Sequence, residues 1–422
     1  MHRRGSPATP SERRMLPRSI ALAFLILVFA FPSNAASPNA ALHRHPGTAY
    51  VTPKGAGHRD GSSWMNAGTL SAFGALLARA GPGGRILLRA DTGAYETPTS
   101  IDVRGGGTPD RPITVMGVDA SENPMKAVIV GTRATPYSPE GSPGSEVFRL
   151  LRGANFLRFK YLSFRNQGNG CFRLGEDIRD LTIEHVDAVN VRRFIENTVA
   201  GSSKSASVDG LIIRDVEVNG FSKGAVRLRY DTRNVRFEDV HGDSERQDGD
   251  NFAEGIALED TVHDVVLRRV TMRNSQDTLH EYWNGDGFTT ERQVYRIRFE
   301  DTVATGNTDG GYDLKSSQTT LDRAIAKDNK HNFKLWGDKV VVSNCVGVSP
   351  HLRGGTGVQS QFEILQGATV SIRGCRLIDV DPGTTVFHLE RDAHVQVTQT
   401  TISKNKDAPI SLIEDGANLR IE

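Results

Sequence analysis

Three cysteines in 422 residues are too few for the dense disulfide framework of a small secreted domain, and Cys171, Cys345 and Cys375 fit no zinc-binding spacing. Stability must therefore come from a core. Long apolar runs are also scarce. The run from Ile20 to Phe31 (IALAFLILVFAF) has twelve residues, short of the roughly 20 that cross a bilayer as a helix. It follows Arg3, Arg4, Arg13, Arg14 and Arg18 and leads into SNA ending at Ala35, the order of a secretory signal over residues 1–35. An uncleaved membrane anchor is the alternative reading. Neither sign of charge is in excess: the formal net charge is +1, and losing five Arg and one Glu with residues 1–35 brings it to −3. No global basic footprint for nucleic acid remains. Proline is sparse at 18 while glycine reaches 43, which favours many turns.

What is present is repetition. An apolar-x-apolar pattern recurs at Ile86, Ile113, Leu157, Leu181, Leu211, Val235, Val265 and Ile297, and again at Val340, Val370, Val395 and Leu419. Starts 24 and 30 residues apart from Leu157 to Val265 indicate a solenoid with one coil per repeat. A second series interleaves with the first: FRL from Phe172, IEN from Ile195, VRL from Val226, IAL from Ile256, FTT from Phe288, YDL from Tyr312, FKL from Phe333, FEI from Phe362 and FHL from Phe387. Two or more β-branched strands per coil, punctuated by Gly and Asn, predict a right-handed parallel β-helix over residues 84–422. Asn166, Asn190 and Asn274 each fall nine residues into their repeat, which suggests an asparagine ladder at a turn. The Ala324 to Val340 interval is only 16 residues, so there the coil is compressed or the register slips. Residues 36–83 read as an opening segment whose Thr69–Ala80 stretch, with Leu70, Phe73, Leu76 and Leu77 at helical spacing, caps the solenoid. Cys345 and Cys375 occupy one repeat position, and stacked thiols are preferred there over a bridge.

Stacking the second series places Arg173, Glu196, Arg227, Ala257, Thr289, Asp313, Lys334, Glu363 and His388 in one outward column, with Phe288, Tyr312 and Phe333 inside. Asp313 and Lys334 become lateral neighbours about 4.8 Å apart. A plain cross-strand ion pair there is worth roughly 0.2 to 1 kcal/mol. Asp286 and Asp309 arrive from the same side, so three carboxylates converge beside one lysine. Like charges that close repel unless a cation sits among them, and oxygen ligands on a rigid frame suit Ca²⁺. Asn307 reads as part of the turn ladder. Asp248, Asp250 and Glu254, one coil earlier, read as a polar loop.

The motifs NGDGF (Asn284–Phe288), NTDGGYDLK (Asn307–Lys315) and HNFKLWG (His331–Gly337), in this order, resemble those of secreted pectate lyases of polysaccharide lyase family 9. The segment YVTPKGAGHRDGSSWMNAG, Tyr50 to Gly68, is similar to the start of many secreted β-helix carbohydrate enzymes. The resemblance implies a right-handed parallel β-helix, Ca²⁺ held by Asp286, Asp309 and Asp313, and Lys334 as the base. The family pattern has a further aspartate directly after the position of Asp309, where this chain has Gly310. The implied chemistry is β-elimination: abstraction of the C5 proton of a uronate and expulsion of the C4 oxygen, which needs a neutral lysine and a cation on the carboxylate. Trp336 is a candidate sugar-stacking residue, and Lys315, Arg323 and Arg227 are candidates for further uronate carboxylates. The expected partner is an acidic polysaccharide, acted on by a secreted monomer without stable membrane insertion. Two alternatives stand beside this. NTDG also resembles the first motif of polygalacturonase-type hydrolases, whose Asp-Asp pair and Gly-His-Gly do not follow here, and an exported glycan-binding β-helix needs no catalysis. A uronate epimerase would use the same proton abstraction.

Overall fold

The structure is a computed structural model that describes residues 47–198, 205–279, 281–379 and 381–422. The expected signal segment lies outside them. Parallel strands stack coil upon coil into a right-handed β-helix. In the first ladder Leu157, Leu181, Leu211, Val235, Val265 and Ile297 stand in one register. The expected outward column is reproduced position by position from Arg173 to His388. Alternation explains it: along the strand Gly310–Leu314, Tyr312 and Leu314 turn inward while Asp313 faces out of the coil.

Inside, Phe288, Tyr312, Phe333, Phe362 and Phe387 stack ring on ring, with centroids 5.0, 5.3, 4.7 and 5.7 Å apart. Each aromatic ring adds about 0.5 to 1.5 kcal/mol beyond its burial through such contacts, so the column that carries the outward polar residues is rigid. The corners are single left-handed residues. Asn166, Asn190 and Asn274 have φ of 55°, 54° and 62°, and Asn190 Nδ2 donates to Asn166 Oδ1 at 2.9 Å. Asparagine tolerates that conformation better than other L residues. Inside the turn, Asn307 N–H and Nδ2 both donate to Asn329 Oδ1, at 3.0 and 2.8 Å, so Asn307 is a ladder residue.

The capping helix spans Phe73–Ala80, preceded by a 3₁₀ turn at Leu70–Ala72. Its buried Phe73, Leu76, Leu77 and Ala80 form one stripe, and Phe73 meets Phe148 at 5.4 Å between ring centroids. The opening segment also supplies a strand, Thr48–Val51, paired in register with Arg85–Leu88, so coil stacking starts before residue 84.

Two expectations are corrected. The 16-residue interval was a register slip: Arg298, Thr320 and Val341 share one ladder, and the apolar start near Ala324 belongs to another strand, Ile325–Lys327. Polar Thr319 stands where an apolar start was sought, which hid the coil. Cys345 and Cys375, with Cα atoms 4.4 Å apart on adjacent coils, are joined in a disulfide rather than stacked as thiols. Cys171 is free and buried. No helix among the described residues is long and apolar enough to cross a membrane.

Candidate active site

Short corner turns set the floor of the site. Asp286 begins its strand, Asp309 ends the turn before the next strand, and Asp313 and Lys334 are paired in register on adjacent strands. The three carboxylates offer oxygens that all lie within 4.8 Å of one another. Lys334 Nζ sits 2.8 Å from Asp309 Oδ2 and 3.8 Å from Asp313 Oδ2. Lys330 Nζ approaches Asp309 Oδ1 at 3.8 Å.

Each carboxylate has a different environment. Asp286 is 2% exposed and accepts the Gly310 N–H at 2.6 Å. Burial first, and then the charges of Asp313 and Asp309, push it well above the ordinary carboxylate pKa. Asp313 accepts Trp336 Nε1 at 2.7 Å and is also raised, chiefly by burial. At Asp309 burial pulls upward too, but Lys334, His331 and Lys330 outweigh it and keep the group low. Burial pulls the Lys334 ammonium down, yet Asp309, Asp313 and Asp286 together raise it above an ordinary lysine. As the groups stand, Lys334 is protonated.

Gly310 has a physical reason. A Cβ added there would stand 2.8 Å from Asp286 Oδ1 and 3.2 Å from Asp313 Cβ. Asp286 fills the space that a side chain at 310 would take, and the bare Gly310 amide supplies its hydrogen bond.

The donor set fits a hard cation. Two oxygens bound to one Ca²⁺ at 2.3–2.6 Å are at most about 5 Å apart, and the measured spread obeys that limit. Two buried carboxylates raised by repulsion lack a balancing charge. Thr289 Oγ1, in register with Asp313, is buried and without a hydrogen-bond partner among the described residues.

These groups line a cavity of about 890 Å³. Lys315 is in it, 3.0 Å from Glu291. Trp336 lines it too, but its ring is taken by cations: Arg292, Lys315 and Lys334 lie 5.3, 5.9 and 5.9 Å from its centroid. With its N–H spent on Asp313, it positions charge rather than offering a bare face. Arg323 does not line the cavity; it sits at a left-handed corner, forked onto Asp301 at 2.6 and 2.9 Å. Arg227 is likewise absent from the lining and forks onto Glu259 at 2.6 and 2.8 Å.

Other residues of the site went unnoticed in the sequence. Glu254 shares a register column with Asp286 and lines the cavity, where burial and then Glu259 raise it to about 7. Asp248 and Asp250 remain loop residues, Asp250 pairing with Arg192 at 2.6 Å. Phe252, Tyr282, Trp283 and Lys330 also border the cavity. The aromatic pair in EYWNG, directly before Asp286, was the available signal.

No family model and no curated protein matches this chain. Solved structures do. The chain is similar to pectate lyase Pel9A, with 16% identity, 80% of this chain and 78% of that chain covered, and a TM-score of 0.50. It is similar to the A-module of mannuronan C-5 epimerase AlgE6 of Azotobacter vinelandii at 14% identity, 87% and 99% coverage and a TM-score of 0.52. A rhamnogalacturonan lyase matches at 10% identity, 87% and 90% coverage and a TM-score of 0.52. The likeness is one of fold.

Proposed function

We propose that this chain is an exported polysaccharide lyase that cleaves a uronate-containing polymer by β-elimination, with Lys334 as base and Asp286, Asp309 and Asp313 as the ligands of a Ca²⁺. The observation that carries this is the meeting of three buried carboxylates and one lysine on adjacent coils, inside a cavity long enough for a polymer segment. Bound there, Ca²⁺ supplies charge neutralisation for the substrate carboxylate and the enolate-like transition state. Lys334 takes the C5 proton once the carboxylates that hold it protonated have their charge balanced elsewhere. The C5–H electron pair then becomes the C4–C5 double bond, and the C4–O bond breaks with its electrons on oxygen, which is protonated from solvent. Trp336 keeps Asp313 oriented through its 2.7 Å hydrogen bond.

Incubation with a panel of polyuronates, with and without Ca²⁺, tests this by the ultraviolet absorbance of the new double bond. Metal-dependent absorbance is expected. Reducing ends without absorbance would indicate hydrolysis instead, and C5 deuterium exchange without absorbance would indicate an epimerase.

A further inference from the structure

Among the described residues, Phe252 and Tyr282 are exposed large apolar side chains at 48% and 61%, and both border the cavity that holds Lys334. Their rings meet edge to face at 5.3 Å. Trp283 is beside them with φ of 53°, a left-handed conformation that bulky L residues rarely adopt and that clusters at functional sites. Its ring lies against the backbone of Gly354 and Gly355, where an added Cβ would stand 2.2 and 2.9 Å from ring atoms. Larger residues at 354 and 355 would therefore displace the indole.

The shelf is held from below by buried polar anchors. Asp248 accepts from Thr278 N–H at 3.0 Å, Thr278 Oγ1 at 2.5 Å and Gln276 Nε2 at 3.1 Å. Asp277, fully buried, accepts the Phe252 N–H at 2.7 Å, and its carbonyl accepts the Asn284 N–H at 3.0 Å. Asp277 thus ties the loop of Tyr282 and Trp283 to the strand entrance that carries Phe252. Exposed aromatics on so well-anchored a loop are preorganised, which lowers the entropy cost of binding.

We propose that Phe252, Tyr282 and Trp283 form a stacking subsite for a sugar ring of the polymer, distant from the reacting uronate. The chemistry selects the occupant. The aromatic surface is flanked by Glu254, Glu281, Asn284 and Lys330 in the same cavity, so it suits a flat ligand with an apolar C–H face and a hydroxyl rim, as a pyranose has, and not a continuous apolar helix or acyl chain. That the sugar is a uronate rests on the function proposed above. Phe252 precedes the coil of Glu254, and register places Glu254, Asp286, Gly310 and His331 on four successive coils. The shelf is therefore roughly three coil spacings, about 14 Å, from the strand of Lys334. Only oligomers long enough to cover that span engage both.

The test uses the full chain with Ca²⁺ and compares diuronate with hexauronate binding by calorimetry, together with polymer kinetics. Tyr282→Ala should weaken hexauronate about five- to ten-fold, leave diuronate unchanged, and raise KM with kcat within about two-fold. Tyr282→Phe should restore binding, because it keeps the ring. Phe252→Ala should repeat the length dependence. Equal effects on both lengths, or none on either, would overturn the subsite. If no uronate oligomer binds the wild type, a neutral oligosaccharide panel separates the two proposals. Binding lost in Tyr282→Ala then retains the subsite and removes the uronate reading, whereas no binding to any glycan overturns the subsite as well.

Discussion

Replacing Lys334 by Ala while controlling Ca²⁺ tests charge balance in the site from two directions. Only 17% of the Lys334 side chain is exposed, and it is the cation nearest to Asp309 and Asp313. Removing one member of a buried charge group typically costs about 3–5 kcal/mol, because the partners stay buried and unpaired. An unfolding entropy of about 2.1 cal/mol/K per residue over roughly 375 residues gives about 0.8 kcal/mol/K, so the variant should melt about 4–6 °C below wild type in chelator. A cation at the carboxylates takes over the lost charge. Ca²⁺ at about 100 times its Kd stabilises by about 2.7 kcal/mol, or roughly 3 °C here. The Ca²⁺-induced rise should be larger in Lys334→Ala, whose carboxylates bind without a competing ammonium. Activity should meanwhile fall by roughly 10² to 10⁴ and stay low at any Ca²⁺ concentration. Calorimetric scans in chelator and in Ca²⁺ read all of this. Coincident melting of variant and wild type in chelator, or equal Ca²⁺-induced rises, would refute the charge-balance argument even if catalysis were lost.

Asp313→Asn should raise the Ca²⁺ concentration for half-maximal activity, with excess Ca²⁺ recovering part of the rate; an unchanged titration midpoint would remove Asp313 from the ligand set. Asp286 has a folded pKa raised by burial and by its acidic neighbours, so its contribution to stability is complete below the ordinary carboxylate pKa and is lost as pH rises through the raised value. In chelator, wild type should therefore lose ground to Asp286→Asn as pH rises above about 4, and a difference that moves the other way in pH-dependent unfolding would contradict the assignment. Thiol titration in denaturant without reductant should find one reactive cysteine per chain, Cys171, and three after reduction; three without reductant would exclude the Cys345–Cys375 bridge.

Much of the fold was legible because its signal is local and repeated. Period-two alternation assigns inside and outside, and a single aromatic position per coil is enough to align Phe288, Tyr312 and Phe333. The Asp–Lys group followed from that alignment. What escaped depended on loops and on competition between partners. Nothing in the sequence marks Arg227 and Arg323 as spent on Glu259 and Asp301, since those partners lie about one coil away in the chain. Trp336 was recognised as part of the site, but whether its ring is free depends on Arg292, which comes from the turn of a different coil. The disulfide likewise turns on a Cα separation of 4.4 Å that shared repeat position permits but does not require.

Coil length links these features to the place of the site. Val266, Arg298, Thr320, Val341 and Ser371 share one ladder at intervals of 32, 22, 21 and 30 residues. The two short coils carry Asp309, Asp313 and Lys334, and their corners are tight enough that the floor of the helix is bare there. The extra residues of the long coils on either side go into the segments before Asp286 and before Gln359. Those segments are the ones that meet: Trp283 from the first lies on Gly354 and Gly355 from the second. Two long loops thus join across two short coils and wall a cavity over the only described group of three carboxylates able to share an ion. Lengthening either short coil at its corner would fill the floor, whereas bulk at Gly354 would part the walls. The spacing that looked like an irregularity in the repeat is what makes room for a polymer at the lysine.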